Sequence, residues 1–191
     1  MTSKNLSFKY SAQQFLYWAA VSCIVSFAAS YLLANGFNAS ETGRILFTAN
    51  FISFFLQPVV AGKADQSEKN IILRIMLILT GITAVSFLAV RFVPMPKIVY
   101  SVVYIVGMAS LDMEVPLMNS ENVYYTDRGW SINYGLARAV GSAAYSLMSL
   151  CLGYVIELFG AGWVPVISVS LMLALFAFIA VMPKDESESF R

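Results

Sequence analysis

The chain has 191 residues, 59% of them apolar and 12% charged, with a mean hydropathy of +0.71. Soluble domains average about 45–50% apolar and ~25% charged residues, so the composition is that of a polytopic membrane protein. A net charge of +1 provides no field to gather nucleic acid. With no histidine and with both cysteines, Cys23 and Cys151, inside apolar runs, the sequence offers neither a metal site nor a histidine-based triad.

A spanning helix needs about 20 mostly apolar residues. On that ruler the sequence predicts six: Ser11–Leu33, Thr42–Ala61, Ile71–Phe92, Ile98–Val123, Ile132–Leu158 and Trp163–Met182. The first apolar run is too long for a signal-peptide core and is expected to be a retained helix. Turn and cap residues mark the breaks: Asn35-Gly36, Ser40 to Gly43, Gly62 to Asn70, Pro94-Met95-Pro96, Asp127-Arg128-Gly129, Gly160-Ala161-Gly162 and Pro183. Six spans put both termini on one side. That side carries Lys4, Lys9, Lys63, Lys69, Arg74, Arg128, Lys184 and Arg191, and the other only Arg44, Arg91 and Lys97. The excess of basic residues makes both termini cytoplasmic.

Laying the second span on the fifth with a shift of 92 residues sets Gly43 on Gly135, Asn50 on Ser142, Gln57 on Ser149, Ala61 on Gly153 and Asp65 on Glu157. The two spans run in opposite directions, so the expected fold class is an all-α membrane protein built of two inverted three-helix repeats. Repeat one covers about 11–92 and repeat two about 98–182 of a single domain. Residues 183–191 form a polar cytoplasmic tail or the start of a linker.

Ionisable groups inside spans are functional candidates, since an arginine or aspartate near mid-bilayer costs about 2.5–3.5 kcal/mol even on mild scales. The first span carries a serine stripe, Ser22, Ser26 and Ser30, which reads as helix packing; Trp18, Trp130 and Trp163 read as interface belt or lipid-facing bulk. In the second, Asn50 and Gln57 are seven residues apart and share a face, with Gln57 just before Pro58. In the fourth, Asp112 and Asn119 share a face, while Glu114 and Glu121 lie off it. Pro116 has no N–H and so frees the carbonyl of Asp112. Asp112 and Glu114 read either as pathway groups or as members of a structural ion pair, and Glu121 as interfacial. In the fifth, Arg138, Ser142, Tyr145 and Ser149 fall within one narrow arc beside a small-residue face of Ala137, Gly141 and Ala144. Arg138 either lines a pathway or snorkels back to the interface.

Three stretches carry a resemblance: Ser40-Glu41-Thr42-Gly43, the run from Gln57 to Asp65, and Tyr134-Gly135-Leu136-Ala137-Arg138-Ala139-Val140-Gly141-Ser142. Together they resemble the amino-terminal six-helix half of the major facilitator superfamily, in its lactose permease-like oligosaccharide:proton symporter branch. The resemblance implies alternating-access transport of a small polar solute, a sugar or oligosaccharide, with possible proton coupling. It also implies a plasma or inner-membrane location, a second six-helix half as partner (in the same chain or another), the lipid bilayer as surroundings and no cofactor. It further implies a solute site at Arg138, Asn119 and Tyr145 and a conformational switch loop at Asp65 with Lys69; the shared helix faces add Ser142, Asp112 and Asn50 to the solute site, and Asp112 and Glu114 are the proton-coupling candidates. The sequence departs from the family pattern at three points: Ala61 stands for a glycine, Gln66 for a basic residue, and Asn119 for the carboxylate that would pair with the arginine. With that carboxylate missing, Arg138 is expected to be neutralised by Asp112 or Glu114. The alternative is a non-transporting scaffold or receptor-like remnant of the same fold.

Overall fold

The computed structural model describes residues 3–66 and 69–181. Lys4, the side chain of Lys69, and the expected tail at 183–191 with Lys184 and Arg191 lie outside the described residues. All described regular structure is helical: α1 (Ser3–Val21), a π-helical turn (Ser22–Ser26), α2 (Ala28–Ala34), α3 (Ala39–Asp65), α4 (Lys69–Phe92), α5 (Lys97–Asp112), α6 (Glu114–Asp127), α7 (Tyr134–Phe159) and α8 (Trp163–Ala180). Five spans are long and apolar enough to cross a membrane, α5 and α6 counting together as Lys97–Asp127. The pair Asn5–Ser26 plus Ala28–Ala34, bent by 49°, makes a sixth.

The bounds follow local chemistry. Asn38 caps α3 reciprocally: its side chain accepts from the Glu41 N–H at 2.9 Å, and the Glu41 carboxylate accepts from the Asn38 N–H at 2.8 Å. Glu41 also pairs with Lys97 at 3.1 Å, joining the starts of α3 and α5. Asn133 caps α7 through the Leu136 N–H, and Gly160, at φ +85°, ends it in a backbone conformation that side chains disfavour. The second span runs three residues beyond Gly62, so Asp65 is the last residue of a helix and not part of a loop.

The fourth span breaks at Met113, between Asp112 and Glu114. Pro116 lies one turn further on, and the carbonyl it leaves free at Asp112 accepts the Gln57 side-chain amide at 3.4 Å. The adjacent carbonyl of Leu111 accepts the Tyr17 hydroxyl at 3.0 Å. The broken backbone is thus satisfied by two neighbouring spans, as a low-dielectric surrounding requires.

α1 packs on α7 and α8, α3 on α5 and α6, and α4 on α5, α6 and α8. Their shared core includes Tyr17, Ile24, Met76, Leu111, Leu117, Leu152, Met172 and Leu175, all essentially inaccessible. Coverage is uneven. Only 17% of the most apolar window of α3 and of α7 is buried, against 39–44% for the other single-helix or joined spans. One face of the bundle, flanked by α3 and α7, is therefore left open.

Candidate functional site

Polar side chains at that face fall into two groups. The first lies along the α1–α7 seam. Gln14, Trp18, Ser22 and Ser26 recur every fourth residue and form one stripe. Ser22 and Ser149 share a hydrogen bond at 2.7 Å, and Ser26 and Tyr145 one at 2.8 Å. The Trp18 ring seats on Gly141, so closely that a Cβ there would stand 2.5 Å from its Cδ1. Its orientation is fixed by a chain of hydrogen bonds: the indole N–H donates to Gln14 (2.8 Å), Gln14 to the Tyr10 hydroxyl (3.0 Å), and Tyr10 to the Met118 carbonyl (2.9 Å).

Over this ring lies the Arg138 guanidinium, its Cζ 4.5 Å from the centroid. Tyr145 also meets the indole, edge to face, with ring centroids 6.5 Å apart. A cation–π contact contributes roughly 0.5–2 kcal/mol, less than the about 2.5–3.5 kcal/mol that a buried arginine costs in a bilayer. The expected neutralisation by Asp112 or Glu114 does not occur. Asp112 accepts instead from Ser53 of α3 at 2.8 Å, and Glu114 from Thr80 of α4 at 3.1 Å. Among the described residues, no carboxylate comes within ion-pair distance of Arg138. The guanidinium thus shares Trp18 with Gly141, against which the same ring seats.

The second group lies along α3. Asn50, Ser53, Gln57 and Asp112 line a cavity of about 490 Å³ together with Phe47, Phe51 and Phe54. Asn50 and Gln57 share a face as expected, although the Asn50 amide also back-bonds to the Leu46 carbonyl at 2.7 Å. Asn119 is exposed and accepts from the Tyr134 hydroxyl at 3.1 Å; Ser142 is exposed. Asp112 and Asn119, expected on one face, take different partners: Asp112 accepts from Ser53 of α3 and Asn119 from Tyr134 at the start of α7. A larger groove of about 660 Å³ between α1 and α7 is mostly apolar, and none of the expected solute-site residues lines it.

Three expectations are corrected. Glu121 is not interfacial but fully buried, with Gln13 donating to it at 2.9 Å. Glu114, too, is fully buried in the core and does not border the open face. Trp18, expected at the interface belt or toward lipid, is half-buried, with Arg138 over its ring and Gly141 against its edge. The four-residue stripe from Gln14 to Ser26 is the signal that could have placed it. At the other end of the α3–α6 pair, Asp65 accepts from Ser120 at 2.6 Å. No group of acidic or cysteine residues suited to a metal ion occurs among the described residues.

The sequence pattern of the MFS_1 like family matches residues 7–189. The chain belongs to that family. Membership in this branch of the major facilitator superfamily makes it a multi-span membrane protein whose general activity is transport, which points to a carrier rather than an enzyme. No curated protein and no solved structure matches the chain. For a family of carriers, polar groups gathered on the least covered face of the bundle are the natural candidates for contact with solute.

Proposed function

We propose that the chain forms the amino-terminal six-helix half of an alternating-access carrier for a small polar solute of the saccharide kind. A second six-helix half, in the same chain or another, would close the open face. One observation carries this reading: Arg138, Tyr145, Asn119, Ser142, Asn50 and Asp112 come from three different spans and gather along the poorly covered α3 and α7. Side chains of this type left against hydrocarbon would each be costly, whereas facing a solute path they supply donors and acceptors for hydroxyls. The lactose permease-like branch remains the resemblance that best accounts for Arg138 and Tyr145 on one helix.

The inverted repeat belongs to the same proposal and draws support from the helix pairing. Exchanging spans one, two and three for four, five and six turns the one–five contact into four–two and the one–six contact into four–three, and returns three–six to itself; all of these pairings occur. The basic residues Lys9, Lys63, Arg74 and Arg128 would mark the cytoplasmic side. Asp65 with Lys69 would act as the switch region, Asp65 tying α3 to α6 through Ser120. Of the two proton-coupling candidates, Asp112 is the better placed, because it borders the 490 Å³ cavity while Glu114 is enclosed by the core.

Uptake of radiolabelled sugars into proteoliposomes holding the assembled carrier tests the reading. Saturable uptake that a proton gradient drives, and that Asp112→Asn uncouples while Glu114→Gln does not, is the expected result. Absence of uptake for every solute, with the protein folded, would favour a non-transporting scaffold.

A further inference from the structure

Among the described residues, no carboxylate forms an ion pair with Arg138 at the α1–α7 seam. Arg138 lies on the Trp18 ring, against which Tyr145 also packs, and the α6 position where the resemblance expects an acid is Asn119, which accepts from the Tyr134 hydroxyl one turn before Arg138. Asp112 is engaged with Ser53 in the α3 cavity, and Glu114 and Glu121 are turned into the core toward Thr80 and Gln13. A permanent cation in a spanning helix is stabilised when a counterion reaches it, and a guanidinium presents a planar fork of donors matched to the two oxygens of a carboxylate.

We infer that the solute itself brings the missing negative charge: the carrier takes a small hydroxylated acid, of the sugar-acid kind, whose carboxylate pairs with Arg138. This rests on the transport reading above and narrows it from polar solutes to anionic ones. The hydroxyl and amide groups of Tyr145, Ser26 and Asn119 would meet the hydroxyls of the same molecule. Asn119 in place of an acid then has a physical purpose, since a carboxylate there would both neutralise Arg138 and repel the solute.

Trp18 provides a reporter, because a carboxylate bound to the guanidinium alters the cation over the indole. The full chain carrying Trp130→Phe and Trp163→Phe, in lipid nanodiscs, is titrated with three matched pairs: glucuronate and glucose, galacturonate and galactose, gluconate and glucitol. The expected result is a saturable change in Trp18 fluorescence with at least one acid and none with its neutral partner. Arg138→Gln is expected to abolish the response. Arg138→Lys retains charge without the fork and should keep the preference for the acid with at least tenfold weaker affinity, which decides the matter should the glutamine variant not fold. A neutral sugar that binds as well as its acid, in an Arg138-dependent way, would overturn the anionic assignment and leave the transport reading standing. No response to any of the six compounds would overturn both.

Discussion

At Gly141 a single hydrogen atom decides where an indole can sit. A methyl group there would stand 2.5 Å from Trp18 Cδ1 and 3.2 Å from Cγ, and the ring cannot retreat while its N–H is held by Gln14. Gly141→Ala is therefore expected to destabilise the fold by about 1–3 kcal/mol, as overpacking does, and to weaken solute binding by displacing the surface on which Arg138 lies. Gly153 is also interior to α7, but a Cβ added there would meet nothing within 4 Å; Gly153→Ala should be neutral or stabilise by roughly 0.5–1 kcal/mol through helix propensity. Thermal unfolding of the two variants in one detergent checks this, and equal shifts would remove packing as the cause. The small-residue face of Ala137, Gly141 and Ala144 was legible in the sequence because periodicity alone defines it. What it packs against was not, because a tryptophan in a spanning segment is compatible with lipid, interface or core until a partner helix is known.

Among the elements, the break in the fourth span was legible and its consequence was not. Pro116 signals a freed carbonyl, and Gln57 does reach it; that Asp112 would bond to α3 and Asn119 to the start of α7 depends on which helices pack beside α5 and α6. The helical rule of seven residues for one face holds only while the helix is continuous. α3 shows the same limit at its other end, where the helix carries through Gly62 to Asp65. Asp65 there joins the end of α3 to Ser120, a buried residue of α6. Asp65→Asn keeps an acceptor for that hydroxyl but loses the charge, which weakens the tie without abolishing it. In the assembled carrier it is expected to slow turnover several-fold while leaving equilibrium solute binding nearly intact; paired measurements of transport rate and affinity test this, and unchanged turnover would make Asp65 an ordinary surface charge.

For the whole molecule, six spans and a membrane location could be read from hydropathy, since 20-residue apolar runs separated by glycine, proline and charge leave few alternatives. The bend in the first span could not: the stretch from Ser22 to Phe27 contains neither proline nor glycine, and a π-helical turn arises where neighbouring helices favour one more residue in the turn. Orientation rests on the basic residues. Cysteines replacing Lys63 and Arg128 should react with an impermeant maleimide only from the cytoplasm, and cysteines replacing Asn35 and Lys97 only from outside. Reversal of both pairs would invert the assignment.

The bend has a mechanical consequence. Below it, α1 is fastened to α7 by the Trp18 indole on Gly141, and the π-helical turn itself by the Ser22 and Ser26 hydroxyls; above it, α2 rests on α3. One unbroken piece of backbone thus holds both rims of the open face, each at a different depth in the bilayer. A change of angle at Phe27 would move those rims in opposite senses, like a lever turning on the π-helical turn, so that one mouth narrows as the other widens. Spin labels at Asn50 and Ser142 are expected to show two distance populations in lipid, with solute shifting their ratio; one narrow, unresponsive distance would mean that the joint is fixed and that any rocking takes place elsewhere.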